Sequence, residues 1–392
     1  MLSTTQGCHQ NDGGAAVSIE VGVAGVGMHP FGRFDDAGLV DLGVTAVQQA
    51  MTEAGIGPGG FQAAYCGTAY GGVATGHRVL GALALTGTPI IDVEAGCASG
   101  GAALQLGGQA IASGRHDTVL VFGVEKMPKG IIRSSFFAPW QEQAGLSPAP
   151  AYFALRAQRL LADTGLTKDD LAAVCVKNRA HGAANPLAMW QEAVTAAAVL
   201  ASRVVCEPLH LWMLCSPNEG ATAVVLRRAR ADDVRVRAVS LRSHLPGGVL
   251  SEATPLSGLV DDTIPSATTL AADDAYAAAG LGPEDVDVVE CQDTDAAREL
   301  LSWQELRLCA PGEQAQILAD GDATLGGTRP VNPSGGLLSK GEPLGASALG
   351  QVVELVHQLR GAAGARQVDG AQVGLAHVVG RGANACVTIL ST

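Results

Sequence analysis

The residue best placed to do chemistry is Cys97. It lies in Ile90-Ile91-Asp92-Val93-Glu94-Ala95-Gly96-Cys97-Ala98-Ser99-Gly100-Gly101-Ala102, which reads as a short apolar strand, a sharp turn, and a helix from about Cys97 to Ser113. At a helix amino end, unpaired amides and the macrodipole favour a thiolate and ready it to attack a thioester. Small neighbours let an acyl chain approach, and the backbone amide of Cys97 can face the oxyanion that its own attack creates. The competing reading is a cysteine that fills space at a strand-helix junction, the common fate of buried cysteine. The other eight, Cys8, Cys66, Cys175, Cys206, Cys215, Cys291, Cys309 and Cys386, fall singly, mostly inside apolar patterns, and read as packing.

The surrounding pattern supplies a frame for such a turn. Strand-length apolar runs alternate with longer Ala/Leu-rich segments of helical period, which argues for parallel strands covered by helices. Strands are expected at Ile19 to Val26, Gln62 to Gly67, Ile90 to Val93 and Thr118 to Val124, with helices at Leu39 to Ala54 and His77 to Thr86. From Glu125 to about Ser202 the chain is richer in Pro, Trp, Phe and polar residues, and reads as an excursion that caps the site. After a strand at Ala221 to Leu226, the charged run from Arg227 to Val234 marks a boundary, giving halves 1–233 and 234–392. The second half repeats the alternation: strand Val236 to Leu241, helix Thr269 to Ala279, strand Val286 to Cys291 and helix Ala297 to Leu308. A glycine-rich loop from Asn332 to Gly345 then leads into a helix at Ala346 to Leu359, and strands at Val373 to Val379 and Ala385 to Leu390 close the chain. The halves share a plan without a visible sequence repeat.

Composition narrows the classes. With 392 residues, 51 glycines, 47% hydrophobic and only 4% aromatic residues, the chain suits a layered α/β enzyme built on small-residue packing. A formal charge of -13 and scattered basic residues argue against a nucleic-acid partner. No apolar run approaches the ~20 residues needed to span a bilayer, and single cysteines without a secretory leader point to reduced thiols in a soluble, cytoplasmic protein. The polar first 17 residues read as a frayed start. No Walker loop, dinucleotide fingerprint or metal-ligand spacing is present, so no metal or bound cofactor is expected.

Glu94-Ala95-Gly96-Cys97-Ala98-Ser99-Gly100 resembles the nucleophile motif of thiolases, and further motifs follow in that family's order. Lys177-Asn178-Arg179 with His181, the run Ser202-Arg203 through Cys215, Pro217 and Glu219-Gly220-Ala221, and above all Val331-Asn332-Pro333-Ser334-Gly335-Gly336-Leu337-Leu338-Ser339-Lys340-Gly341 look like the sterol-carrier-protein-x branch. The resemblance implies a thiolase fold, a duplicated five-layer αβαβα sandwich that generally dimerises. It also implies an acyl group taken from coenzyme A by the cysteine, which a histidine of a Gly-His-Pro motif activates.

Two departures stand out against that pattern. The loop reads Gly341-Glu342-Pro343, so a carboxylate replaces the activating histidine and becomes the candidate base. Glu290-Cys291-Gln292-Asp293-Thr294-Asp295 aligns with the branch's His-Asp-Cys-Phe segment, putting Gln292 where the second histidine belongs; Gln292 cannot exchange protons but can donate a hydrogen bond. Arg298 brings a cation that could neutralise Asp293 or Asp295 or hold an anionic substrate. In Ala376-His377-Val378-Val379-Gly380, the second cysteine of degradative thiolases is absent, His377 adjoins its place, and the Gly380 amide is in register to join an oxyanion hole. His377 and His181 have the competing reading of structurally satisfied histidines. The catalytic set expected is therefore Cys97, Glu342, Gln292, His377 and Gly380, with Asn332, Ser339, Asp293, Asp295, Arg298 and His181 around the substrate.

Three functions are compatible with this set. The leading one is an acyltransferase that loads Cys97 from a CoA or carrier-protein thioester and passes the acyl group to an acceptor, as a homodimer. The second is a retro-aldolase on an acyl-CoA, paired with a small OB-fold and zinc-ribbon protein as in some relatives that lost the same histidines. The third is a non-catalytic subunit of a heteromer.

Overall fold

The computed structural model describes residues 20–130, 132–133, 139–246, 264–380 and 384–392, so the start expected to fray lies outside the described residues. The first half runs β1 (Val21–Gly32), α1 (Leu39–Ala54), β2 (Ala64–Gly67), α2 (Thr75–Ala82), β3 (Ile90–Val93), α3 (Ser99–Ala112) and β4 (Thr118–Lys126). The excursion that follows is helical: α4 (Pro139–Gln143), α5 (Ala149–Thr164), α6 (Lys168–Ala183) and α7 (Ala196–Ala201), then a small hairpin of β5 (Val204–Cys206) and β6 (Leu209–His210). The chain returns through β7 (Glu219–Arg228) and β8 (Val234–Ser243) to α8 (Ala267–Ala279), β9 (Val288–Glu290), α9 (Ala296–Glu305), α10 (Gln314–Asp320), α11 (Gly336–Lys340), α12 (Leu344–Leu359), β10 (Val373–Gly380) and β11 (Asn384–Ser391).

The strands form one sheet in the order β3-β2-β4-β7-β1-β8-β11-β10-β9. Its two ends repeat one plan. From β1 outward, β7 and β4 join antiparallel and β2 joins β4 in parallel; from β8 outward, β11 and β10 join antiparallel and β9 joins β10 in parallel. The duplication is thus plain in topology although no sequence repeat shows it. Val21–Val23 of β1 pairs with Val234–Val236 of β8, which joins the sheets of the two halves.

Helices complete a layered sandwich. α1 covers β1 and β7 on one outer face, α8 covers β8 and β11 on the other, and α3 and α12 lie together between, touching strands of both halves. Local sequence explains the elements that matter. α1 turns Leu42, Ala46, Val47, Ala50 and Met51 inward at helical spacing, Asp41 accepts the Gly38 amide at its start, and left-handed Gly55 ends it. The excursion folds onto the second half: Tyr152, Leu171 and Cys175 share a core with Leu300 and Trp303. That docking leaves a cavity between the excursion and the amino ends of α3 and α12.

Candidate active site

The turn at Cys97 is built by backbone geometry. β3 ends at Val93, Gly96 takes φ 60°, and the chain enters α3 through Ala98. A left-handed residue here favours glycine. Ser99 Oγ braces the turn, accepting from the Ala95 amide at 2.9 Å and donating to the Gly96 carbonyl at 2.6 Å, while Glu94 accepts the Gly96 amide at 2.7 Å. The helix therefore starts at Ser99, two residues later than its expected start, and Cys97 sits just ahead of it. Gly380 presses on the turn from β10: a β-carbon there would lie 1.9 Å from the Ala95 carbonyl oxygen and 3.1 Å from the Ala98 nitrogen.

Glu342 occupies the equivalent place before α12, whose cap is Pro343. Its amide donates to the Ser216 carbonyl at 3.0 Å. The carboxylate accepts from Gln292 Nε2 at 3.3 Å and from the Cys215 thiol at 3.1 Å. Burial and then the nearby Glu342 carboxylate push the Cys215 thiol well above its ordinary value, so it serves as a proton donor in this contact. Gln292 Oε1 in turn accepts the Val379 amide at 3.4 Å. The amino ends of α3 and α12 lie side by side, since a β-carbon on Gly100 would come within 3.1 Å of the Gly345 carbonyl.

Cys97 and Glu342 both line a cavity of about 750 Å³, within the range of small-molecule sites. Besides those two, Thr294, Leu338 and Leu344 come from the layered frame. Every other lining residue comes from 130–217, among them Ile132, Phe153, Val194, Leu211, Trp212 and Leu214, with Arg179, Arg203 and Glu192 as the charged ones. The excursion thus caps the cavity.

The remaining expected residues are placed as follows. His377 is wholly buried behind the cavity, its Nε2 3.0 Å from Thr268 Oγ1 and its Nδ1 facing the Gln292 amide at 3.5 Å; burial and then Arg298 hold it well below the ordinary histidine range, hence neutral. His181 is buried too, with Nε2 accepting the Leu325 amide at 3.1 Å, so Nδ1 donates to the Asn332 carbonyl at 2.9 Å; burial brings it down to about 3. Asn332 links Cys291 to Glu299, accepting at 2.8 Å and donating at 2.8 Å. Ser339 donates to the Trp190 carbonyl at 2.6 Å. Asp293 accepts from the Leu337 and Leu338 amides and from Asn178, and burial with neighbouring Glu299 raises it well above the carboxylate range. Asp295 caps α9 and pairs with Arg156 at 2.5 Å, while Arg298 pairs with Glu305, so Arg298 neutralises neither aspartate. None of these residues lines the cavity.

Four residues at or beside the site escaped the sequence reading. Cys215 was counted as packing, yet its thiol faces Glu342. Arg179 and Trp190 line the cavity, with the guanidinium 5.2 Å from the indole centre. Glu125, placed at the start of the excursion, is a buried carboxylate that binds the Ala69, Tyr70 and Gly345 amides and ties the first turn of α12 to the β2 end. Arg179 and Cys215 each lay in a quoted motif, the Lys177-Asn178-Arg179 segment and the run from Ser202, but neither motif told what the side chain faces. Among the described residues no group of three or more His, Cys, Asp and Glu side chains is arranged to hold a metal ion.

Residues 21–197 match the family described as Thiolase, N-terminal domain, and residues 247–392 match Thiolase C-terminal domain-like. The chain belongs to the thiolase superfamily. This thiolase-family chain is 36% identical over 385 residues to an acetyl-CoA acetyltransferase of Methanothermobacter thermautotrophicus, covering 95% of this chain and 99% of the relative. It is 36% identical over 375 residues to benzoylsuccinyl-CoA thiolase subunit BbsB of Thauera aromatica, covering 93% and 96%. Sterol carrier protein 2 of Gallus gallus matches at 34% over 402 residues, covering 97% and 74%. Among solved structures, the Ltp2-ChsH2(DUF35) aldolase superposes with a TM-score of 0.83 at 24% identity over 96% of this chain and 99% of that one. Human mitochondrial 3-ketoacyl-CoA thiolase does so at 0.71 and 17% over 96% and 100%. These similarities support thiolase-like acyl-CoA chemistry. Among the described residues no helix is long and apolar enough to cross a membrane.

Proposed function

We propose that the protein is an acyltransferase that loads Cys97 from a CoA or carrier-protein thioester and passes the acyl group to an acceptor. The carrying observation is that Cys97 and Glu342 open onto one cavity from the amino ends of the paired central helices. Glu342 takes the Cys97 proton as the sulfur attacks the thioester carbon. The amides of Cys97 and Gly380 face the oxyanion, the carbon-sulfur bond to the carrier breaks, and Glu342 returns the proton to the departing thiolate. Gln292 and Cys215 hold the carboxylate in place by donating hydrogen bonds to it. A nucleophilic acceptor then displaces Cys97 from the acyl group.

Incubation with an acyl-CoA followed by intact-mass measurement tests this. The wild type gains one acyl mass, and Cys97→Ala gains none. A protein that never gains that mass has no acyl-enzyme; cleavage of a β-hydroxyacyl-CoA by Cys97→Ala at the wild-type rate would instead make it a retro-aldolase. We read the working form as a cytoplasmic homodimer. Edge strand β3, with Ile91 45% exposed, supports pairing with a second copy. A partner subunit is the other possibility for this face, since one relative is itself named a subunit.

A further inference from the structure

Arg179 brings to the cavity a guanidinium that pairs with no carboxylate among the described residues. Arg179 projects from α6 into the lining, half-buried and stacked 5.2 Å over Trp190. Its Nε is buried with no hydrogen-bond partner, and among the described residues no carboxylate forms an ion pair with it. Glu192, the acid nearest in effect, is exposed on the same wall, and Arg203 adds a second exposed cation there. Partial burial lowers the guanidinium from the ordinary arginine range, and the Glu192 carboxylate offsets this only in part. Trp190 links this wall to the reacting end: its indole N–H donates to Ser216 Oγ at 3.1 Å, and the Ser216 carbonyl accepts the Glu342 amide. Much of the remaining wall is apolar, with Phe153, Leu211, Trp212 and Leu214.

The geometry points to an acyl thioester whose acyl part has an apolar body and a free carboxylate, with Arg179 on Trp190 as the carboxylate's binding site. This rests on the acyl-thioester reading of the cavity. A planar guanidinium fixed on an aromatic face offers a paired donor edge to a carboxylate, and excluded water strengthens the contact. A phosphate of coenzyme A is the other anion with suitable chemistry, and the test separates the two.

Binding is measured by calorimetry in the Cys97→Ala protein, so the result does not depend on acyl transfer. The probes are adipoyl-CoA and hexanoyl-CoA, matched in carbon number and differing in the terminal carboxylate. Adipoyl-CoA is expected to bind at least about tenfold tighter, as a charge-assisted contact implies. Adding Arg179→Gln should cut that ratio to about twofold or less, and Arg179→Lys should leave an intermediate ratio. Equal affinities in Cys97→Ala, binding of neither probe, or a ratio that survives Arg179→Gln overturns the inference. If Arg179→Gln weakens both CoA thioesters alike but neither of the matching pantetheine thioesters, the anion is a CoA phosphate, and the inference is again overturned. Failure of wild-type Cys97 to gain an acyl mass sinks the acyltransferase reading and leaves these ratios to be judged separately.

Discussion

Cys97 and Glu342 hold matching positions, each one residue ahead of the cap of a central helix, Ala98 for α3 and Pro343 for α12. The two helix ends lie side by side, so two positive dipole ends converge beside the thiol and the carboxylate. Like-charge repulsion between these groups is the main objection to a carboxylate in the histidine's place, and this arrangement opposes it.

If Glu342 is the base, removing its ionisation while keeping its shape should be costly. Glu342→Gln is expected to slow acyl loading of Cys97 by about a hundredfold or more. Rapid-quench mass spectrometry reads the rate directly. A loading rate within threefold of wild type, on the order of the context scatter of single contacts, would remove Glu342 from the mechanism.

Close packing at Gly380 gives a second test. Gly380→Ala must push the Ala95–Ala98 turn aside, at about 1–3 kcal/mol of overpacking, and lower iodoacetamide labelling of Cys97. Gly108→Ala is the contrast, since nothing lies within 4 Å of an added β-carbon at that position of α3. It should stabilise by about 0.5–1 kcal/mol with labelling unchanged. Denaturant melts and labelling kinetics on the pair decide it.

The buried ion pair of Arg156 and Asp295 should matter far more than its surface counterpart. Asp295→Ala leaves a guanidinium only 5% exposed without this partner and removes the α9 cap, so about 3–5 kcal/mol should be lost. Asp163→Ala breaks the half-exposed pair with Arg159 and should cost within about 0.5 kcal/mol. Equal losses in urea unfolding would contradict this account.

Acid should act through His377. Its folded pKa lies well below the ordinary 6.5, so below that pH the unfolded chain binds a proton that the native state refuses, and stability falls as pH falls. The contribution approaches about 1.4 kcal/mol per pH unit. Unfolding free energies of wild type and His377→Gln, compared from pH 7 to 5, should show a shallower decline in the variant. Parallel curves would mean that His377 is protonated in the native state.

How far the sequence could be read depended on what each pattern encodes. α1 and β3 fell at their expected limits because an amphipathic stripe or a strand-length apolar run between turn residues is local information. α6 did not stand out, because Leu171, Val174, Lys177, Asn178 and His181 are all buried and it packs against α7, α9 and α11, leaving no polar face to mark its period. The loop from Asn332 to Gly345 hid α11, bracketed by left-handed Gly335 and by Gly341 at φ 98°. Cys97, Glu342 and Gln292 were legible because each sits in a recognisable motif. The Cys215 contact was not, since a hydrogen bond across 127 residues leaves no trace in spacing.

The cavity's origin carries a consequence for how such a protein changes. Nearly all of its described wall is contributed by residues between 130 and 217, while the thiol and the carboxylate come from the layered frame beneath. Mutation within that stretch, outside Cys215 and Ser216 that hold Glu342, can therefore redirect which compound is admitted and leave the reactive pair untouched, so descendants of this chain can diversify in diet faster than in reaction.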